Sequence, residues 1–286
     1  LTLYLVAKSG KAAAILAGTI PEAEKFSDGV HFSKVSPLGE GERLHTIFAI
    51  PNKENLNEGW FIFTTTSMGL VKKTTLSELP GPSAQPFILV KVNPGDSLCD
   101  TVLTDGDMEI LMITSDGMAI RFSETEVRPM GLIAAGVNGI KLKEGEVVVG
   151  VETPVPADLI GLVGSDGKVW VIPFGEFPQQ GRYGQGVTAC KLPAEIKLKG
   201  TLAGKKTQTG IVHFKMAASK LIKLGDIPQV KRMKAGFEWV VLKGKDGVSG
   251  LTHIQDSINF WSKRPAKKTT SKRKTVKDEG KQYSNK

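Results

Sequence analysis

Cysteine and histidine are scarce in this sequence of 286 residues, and their scarcity excludes several classes of protein. Cys99 and Cys190 are the two cysteines. They are too few for a disulfide framework, and neither lies in a CxxC motif or near a histidine at metal-ligand spacing. The 4 histidines are scattered singly, which is more typical of surface or core residues than of ligands or general bases. We therefore expect a cytoplasmic protein without a metal site.

Long apolar runs and aromatic residues are also few. No run approaches the length of a membrane span, and the start LTLYLVAKSGK lacks the basic region and cleavage site of a signal peptide. We expect no membrane partner. Aromatic residues make up 7% of the chain and form no regular stripe, which disfavours a surface that stacks single-stranded bases.

Turn residues, in contrast, are plentiful and evenly spread. The chain has 32 glycines and 15 prolines, and short apolar runs alternate with turn sequences such as SDG, TDG and NPGD. This pattern is typical of many brief strands joined by tight turns. It predicts an all-β protein.

The sequence repeats itself with a period close to 50 residues. GMAIRFSETEVRPMGLIAAGVNGIKL, from Gly117, aligns without a gap with GKVWVIPFGEFPQQGRYGQGVTACKL, from Gly167. Related segments begin at Gly10, Gly69 and Leu224, so five repeats are visible. Self-similarity at this period indicates a propeller-like ring of four-stranded blades. The predicted repeats are 1–52, 58–105, 106–156, 157–205 and 206–259, followed by a basic disordered tail at 260–286.

Each repeat is expected to supply four short strands. In the third, these are EILMIT, MAIRF after the turn SDG, the segment GVNGIKL, and VVVGVE. Alternation of apolar and polar positions over about five residues predicts strands that are buried on one face.

Three features suggest catalysis, and each has a structural explanation that we prefer. Tyr183, beside Arg182, resembles a nucleophile that attacks DNA, but the pair occupies positions filled by Leu132 and Ile133 one repeat earlier. GSDGKV at Gly164 lacks the spacing of a phosphate-binding loop, and its SDG recurs at Ser115 as a hairpin turn. Asp105 and Asp107 are expected to form a turn between blades. The sequence thus predicts no catalytic residues.

Positive charge is concentrated at one end of the chain. The net charge is +9 overall, but residues 1–160 hold 13 basic and 20 acidic residues, whereas 161–259 hold 15 and 7. The tail from 260 adds 10 basic residues against 2 acidic ones and has too few apolar residues to fold. This distribution favours an anionic partner such as nucleic acid, although a solvated tail would look the same.

The candidate phosphate contacts are basic residues spread over the later repeats and the tail, each of which could instead be part of a solvated strand face. On the body they are Lys72, Lys73, Arg121, Lys141, Arg182, Lys191, Lys220, Lys223, Lys231, Arg232 and Lys234. In the tail they are Lys263, Arg264, Lys267, Lys268, Lys272, Arg273 and Lys274.

Several segments resemble a known family. TTTSMGLVKKTTLSEL, LTDGDMEILMITSDGMAIRFSETEVRPMG and AAGVNGIKLKEGEVVVGV are similar to the C-terminal repeats of the A subunit of bacterial DNA gyrase and of topoisomerase IV. The resemblance covers roughly residues 1–256. It implies a β-pinwheel, a ring of about five or six blades that exchange strands, whose outer rim binds and bends double-stranded DNA.

The family's gyrase box, QRRGGKG, has no match in the early part of the chain. The nearest segment is QGRYGQG, where Gln180, Arg182, Gly184 and Gly186 agree with the box. Because related loops recur in every repeat, this similarity is weak.

The resemblance also implies a division of labour. The parent enzyme's cleaving tyrosine, its ATP and its magnesium would be held by other segments, and this chain would need no cofactor. Its partners would be double-stranded DNA, the ATPase B subunit of the enzyme and the rest of the A subunit. The alternative is a propeller-like platform for protein interactions that uses the acidic early repeats.

Overall fold

The computed structural model describes residues 1–51 and 59–253, and regular structure in these ranges is almost entirely β-strand. One short helix, α1 (Phe32–Val35), lies in the first repeat, and brief 3-10 turns occupy Ala17–Thr19, Phe26–Asp28, Leu76–Glu78, Glu124–Glu126, Phe174–Glu176 and Leu224–Asp226. The strands, in chain order, are β1 (Thr2–Ala7), β2 (Lys11–Leu16), β3 (Leu44–Ile50), β4 (Phe61–Thr66), β5 (Leu70–Thr75), β6 (Phe87–Ile88), β7 (Leu98–Thr104), β8 (Glu109–Thr114), β9 (Met118–Ser123), β10 (Val137–Asn138), β11 (Val148–Glu152), β12 (Leu159–Gly164), β13 (Lys168–Pro173), β14 (Val187–Thr188), β15 (Leu198–Gly204), β16 (Thr209–Phe214), β17 (Lys220–Lys223), β18 (Phe237–Glu238) and β19 (Val248–His253).

The strands form five antiparallel sheets, the blades of a propeller-like ring. The strand orders, from one edge to the other, are β3-β1-β2-β6, β7-β4-β5-β10, β11-β8-β9-β14, β15-β12-β13-β18 and β19-β16-β17. The all-β prediction is therefore confirmed. Within the described ranges the fifth blade has three strands. The predicted outer boundaries at 52, 58 and 259 lie outside these ranges, and the repeat limits stay predictions.

Each of the first four blades receives its last strand from the repeat that follows. β10 of the third repeat, for example, pairs with β5 of the second, joining Val137 to Val71. β6, β14 and β18 pair with β2, β9 and β13 in the same way. The four strands expected within the third repeat all form, but the third of them belongs to the neighbouring sheet, as the strand exchange of the family implies.

Tight turns lie where the glycine-containing motifs predicted them. The SDG motif at Ser115 is a hairpin turn between β8 and β9, and its Gly117 has φ +78°, a left-handed conformation that glycine adopts without strain. Asp105 and Asp107 flank Gly106, with φ +90°, in the link from β7 to β8. Since β7 and β8 belong to different sheets, this acidic pair forms the predicted turn between blades.

The opposite edges of the sheets meet around a central cavity. β3, β7, β11, β15 and β19 each form the first strand of a blade, and successive members of this series pack together. Residues from all five line a cavity of about 840 Å³. These strands are therefore innermost, and the strands received from the following repeat are outermost.

Most of the hydrophobic core lies between blades, and one smaller cluster lies within the first repeat. One cluster combines Leu111 of the third repeat with Trp170, Phe174 and Phe177 of the fourth, and three further clusters join the other neighbouring blades in the same way. The middle strands of the second, third and fourth blades are consequently buried on both faces, and every residue of β12 is buried. The expectation of half-buried strands was wrong for these blades, because each of them packs between two others, whereas β16 of the fifth blade alternates between buried and partly buried residues as expected.

Lys72 and Lys73 lie in this interior, which corrects their assignment as phosphate contacts. Lys72 is fully buried, and its ammonium donates to the carbonyl oxygens of Leu89 at 2.7 Å and Leu132 at 2.6 Å. Lys73 is 4% exposed, donates to the carbonyl of Glu124 and lies 3.8 Å from that residue's carboxylate. Both side chains fasten a following repeat to β5.

Burial lowers the pKa of both lysines. The pKa of Lys72 falls from 10.5 to about 8 because burial penalises the charged ammonium, an effect that Glu78 only partly opposes. The pKa of Lys73 is lowered for the same reason, with Glu124 opposing.

Replacing Gly186 with alanine should loosen the strand exchange between the fourth repeat and the third. Gly186 has φ +77°, and a Cβ there would collide with the Ala119 carbonyl oxygen of β9. We expect a loss of at least about 2 kcal/mol in the free energy of unfolding, measured by urea denaturation.

Gly175→Ala is the matched control. Gly175 lies in a 3-10 turn where an added Cβ would meet nothing within 4 Å. This substitution should change stability by less than about 0.5 kcal/mol. Equal effects of the two substitutions would contradict the packing described here.

The stability of the protein should depend on pH through Lys72. Between pH 8 and 10.5 the unfolded chain keeps a proton on this lysine that the folded chain has lost, so the free energy of unfolding rises with pH across this window. The gain is at most about 1.4 kcal/mol per pH unit. Denaturation of wild type and Lys72→Met at both ends of the window should show a larger gain in wild type, because Lys73 and the other titrating groups contribute equally in both proteins and the difference belongs to Lys72. Parallel pH profiles would refute this assignment.

Candidate nucleic-acid interface

The outer rim of the ring is built from the segments that each repeat lends to the preceding blade. We define four rim segments, 81–91, 131–141, 181–191 and 231–241, each of which contains an outermost strand. Just before three of them, Pro129, Gln179 and Gln229 form parallel bridges to the preceding blade. The rim is therefore a repeating surface that crosses each junction between blades.

Exposed lysines recur at one position of these rim segments. Lys91, Lys141 and Lys191 are equivalent at a spacing of 50 residues, and all three are exposed just after an outermost strand. Lys141 and Lys191 were candidates from the sequence, whereas Lys91 was missed. The repeat spacing itself could have identified it. These three side chains place positive charge on the perimeter of three consecutive blades.

The last blades add further positive charge to the perimeter. Lys231 and Lys234 are exposed on the fourth rim segment. Lys220 and Lys223 are exposed at the two ends of β17, which is the strand at the outer edge of the fifth blade in the described part of the chain. The predicted contacts of the tail lie outside the described residues.

Arg182 and Arg232 hold the rim together. Each is half-buried, and its guanidinium donates to the carbonyl oxygen of an outermost strand of the preceding repeat, Asn138 for Arg182 and Thr188 for Arg232. The Nε of both arginines is buried without a hydrogen-bond partner in the described part of the chain. Their positioning role explains why an arginine recurs at this spacing.

The loop that resembles the gyrase box is also anchored to the blade beneath it. The backbone N–H of Gln180 donates to the Arg121 carbonyl at 2.7 Å, and Gly184 lies against Ile120. Gly186 lies against Ala119, where a larger residue would collide. The segment 230–236 forms the equivalent loop one repeat later, a similarity that sequence reasoning did not use.

Arg121 is engaged within the protein. Its Nε lies 3.0 Å from the Glu109 carboxylate, a second nitrogen donates to the Phe177 carbonyl, and the guanidinium lies 4.2 Å from the centre of the Phe174 ring. These contacts join the third repeat to the fourth. The structure therefore gives Arg121 a structural role.

Tyr183 projects from the rim and has an unusual backbone. It is half exposed with φ +66°, and the equivalent Met233 has φ +62°.

Within residues 1–51 and 59–253, no group of three or more histidine, cysteine, aspartate or glutamate side chains could hold a metal ion. Burial raises the pKa of the Cys190 thiol to about 12, so this cysteine is no nucleophile. The same ranges contain no helix with the length and apolar character needed to cross a membrane.

Comparison with known proteins matches this architecture to one family. The protein-family model described as "DNA gyrase C-terminal domain, beta-propeller" matches residues 61–99, 109–154 and 162–197. The A subunit of DNA gyrase from Salmonella typhimurium is 32% identical over 84% of this chain, and that from Buchnera aphidicola subsp. Baizongia pistaciae is 35% identical over 60%. The chain spans only 27% and 20% of these two proteins.

Solved structures show the same fold over most of the chain. The C-terminal domain of DNA topoisomerase IV superposes with a TM-score of 0.81 and 25% identity, covering 91% of this chain and 82% of that one. The DNA gyrase A C-terminal domain gives 0.73 with 20% identity, covering 88% and 82%. The chain exchanges strands between its repeats, and it is similar to these relatives in fold and in sequence. It therefore belongs to the family of C-terminal β-propeller domains of DNA gyrase and topoisomerase IV A subunits.

Proposed function

We propose that this chain binds double-stranded DNA along its outer rim and bends it, as a non-catalytic domain of the A subunit of a bacterial type II topoisomerase. The observation that carries the proposal is the row of exposed lysines at equivalent rim positions, Lys91, Lys141 and Lys191. A duplex presents phosphates continuously along its length, so cations repeated from blade to blade can contact it without reading bases.

Bending follows from the shape of this surface. A duplex that contacts rim lysines on several consecutive blades has to curve with the ring, and the phosphate contacts offset the cost of deforming it. The cationic fourth and fifth repeats would hold the duplex more tightly than the early ones, where acidic residues predominate.

The chemistry of the topoisomerase would reside in other parts of the protein. We assign no catalytic residue to this chain and infer that ATP and magnesium act elsewhere in the enzyme. The ATPase B subunit, together with the remainder of the A subunit, would supply its protein partners in the cytoplasm. The module would capture a segment of DNA and present it for strand passage, directing supercoiling or decatenation.

The acidic early repeats support a second candidate, a surface that binds a basic protein. Residues 1–160 carry a net charge of −7, and Glu78 and Glu126 are exposed in equivalent 3-10 turns. This candidate makes the opposite prediction for DNA. The chain would bind a lysine-rich polypeptide but not a duplex, and Glu78→Gln with Glu126→Gln would weaken that binding.

Neutralising rim lysines should weaken duplex binding and reduce its dependence on salt. Lys141→Gln combined with Lys191→Gln removes two proposed phosphate contacts. The slope of log affinity against log salt concentration should fall by about 0.9 per contact. Fluorescence anisotropy with a labelled duplex over a series of salt concentrations measures both quantities.

Lys8→Gln combined with Lys199→Gln is the matched control. Both lysines are exposed but line the central cavity, and the double variant changes the net charge by the same amount. The control should keep the wild-type slope. A slope lowered equally by both pairs would mean that net charge, and not the rim, governs binding.

A further inference from the structure

Three rim segments carry an exposed apolar side chain at the same repeat position. Ile133, Tyr183 and Met233 are spaced by 50 residues and are 77%, 50% and 48% exposed. Burying a large apolar group against another surface is favourable, and here such a group recurs at one exposed place in three successive units. The positions therefore call for an explanation beyond packing within the chain.

We call Ile133, Tyr183 and Met233 the rim tips. The backbone of two of these tips is in a strained conformation. Tyr183 and Met233 are the two residues other than glycine with positive φ in the described ranges. The left-handed region costs such residues on the order of 1 kcal/mol or more, and strain of this kind clusters at functional sites. Glycine, which the gyrase box has at this position, would relieve the strain but remove the side chain.

Hydrogen bonds fix each tip beside a rim lysine of the preceding repeat. The N–H of Tyr183 donates to Gly139 at 2.7 Å, and the N–H of Lys141 donates back to Gly184 at 2.9 Å. In the next unit, the N–H of Met233 donates to Ala189, two residues before Lys191.

The first unit follows the same plan with different partners. The N–H of Lys91 donates to Ala134, next to Ile133, and the buried Lys72 holds the Leu132 carbonyl. Each tip and its lysine thus form a unit that repeats from blade to blade.

We propose that Ile133, Tyr183 and Met233 enter the minor groove of the bound duplex and fix its rotational setting, an inference that rests on the proposed function. A flexible lysine can contact a phosphate whether the major or the minor groove faces the protein, so lysines alone do not fix the rotational setting. A short apolar tip does not fit against a charged phosphate ridge, but it can contact the sugars that line a groove. In DNA that wraps around a protein, the minor groove faces inward once per helical turn, with phosphates on either side for the neighbouring lysines.

The test combines affinity with hydroxyl-radical cleavage of an end-labelled duplex that spans several helical turns. The wild-type chain should modulate cleavage with a period of about 10 base pairs, because the inward-facing minor groove is protected once per turn. A variant with Ile133→Ser, Tyr183→Gly and Met233→Gly should lose this modulation while its affinity stays within about threefold, since the phosphate contacts remain. The two glycines relieve backbone strain, so the variant is expected to fold.

The control variant removes apolar side chains of similar exposure outside the rim segments, with Ile47→Ser, Met68→Ser and Met216→Ser. These residues are 54%, 53% and 77% exposed. The control should keep both affinity and modulation.

The remaining outcomes separate the two proposals. A wild-type chain that does not bind the duplex overturns the proposed function. Salt-dependent binding with uniform cleavage leaves duplex binding intact and overturns the groove contact. The groove contact is also overturned if the tip variant keeps full modulation, or if it folds but loses more than about threefold in affinity, which would make the tips part of a different binding surface.

Discussion

The pairing of each blade's outer edge with a strand from the next repeat is the interaction on which the rest of this structure depends. No repeat completes its own sheet within the described ranges, and none of the four interblade hydrophobic clusters is formed by one repeat alone. Stability is therefore shared across blade junctions. The rim segments also cover strand edges that would otherwise expose unpaired backbone groups.

The same pairing brings buried polar side chains of one repeat within hydrogen-bond distance of the backbone of the next. Lys72 donates to one carbonyl in each of two rim segments, 81–91 and 131–141. Trp170, at the equivalent position two repeats later, donates to the Lys234 carbonyl at 3.0 Å. Arg121 fastens the third repeat to the fourth. Some basic side chains of this ring thus hold repeats together, whereas others face outward on the rim or line the central cavity.

The sequence predicted the strands and turns well because they depend on local patterns. EILMIT, SDG and MAIRF became β8, a turn and β9, since apolar periodicity and glycine act within a few residues. Which basic residues face solvent depends on contacts between repeats, and here charge alone misled. Lys72 occupies the repeat position that Ile120 and Trp170 fill in later repeats, and these apolar equivalents indicate a buried position. Lys91 occupies the position of Lys141 and Lys191, and these charged equivalents indicate an exposed one. The carbonyl oxygens that accept hydrogen bonds from Arg182 and Arg232 belong to the preceding repeat, and no local sequence pattern indicates these bonds.

The outer rim, continuous from blade to blade, is the surface that we propose binds DNA. The most direct test places a photo-crosslinking amino acid at one position at a time, at Lys91, Lys141, Lys191 and Lys234 on the rim and at Lys199 in the cavity. Bound to one duplex of defined sequence, each rim position should crosslink, and the crosslinked nucleotides should advance along the duplex in the order of the blades, with none from position 199. Crosslinks from the cavity position, or rim crosslinks that all fall at one place on the DNA, would contradict the account.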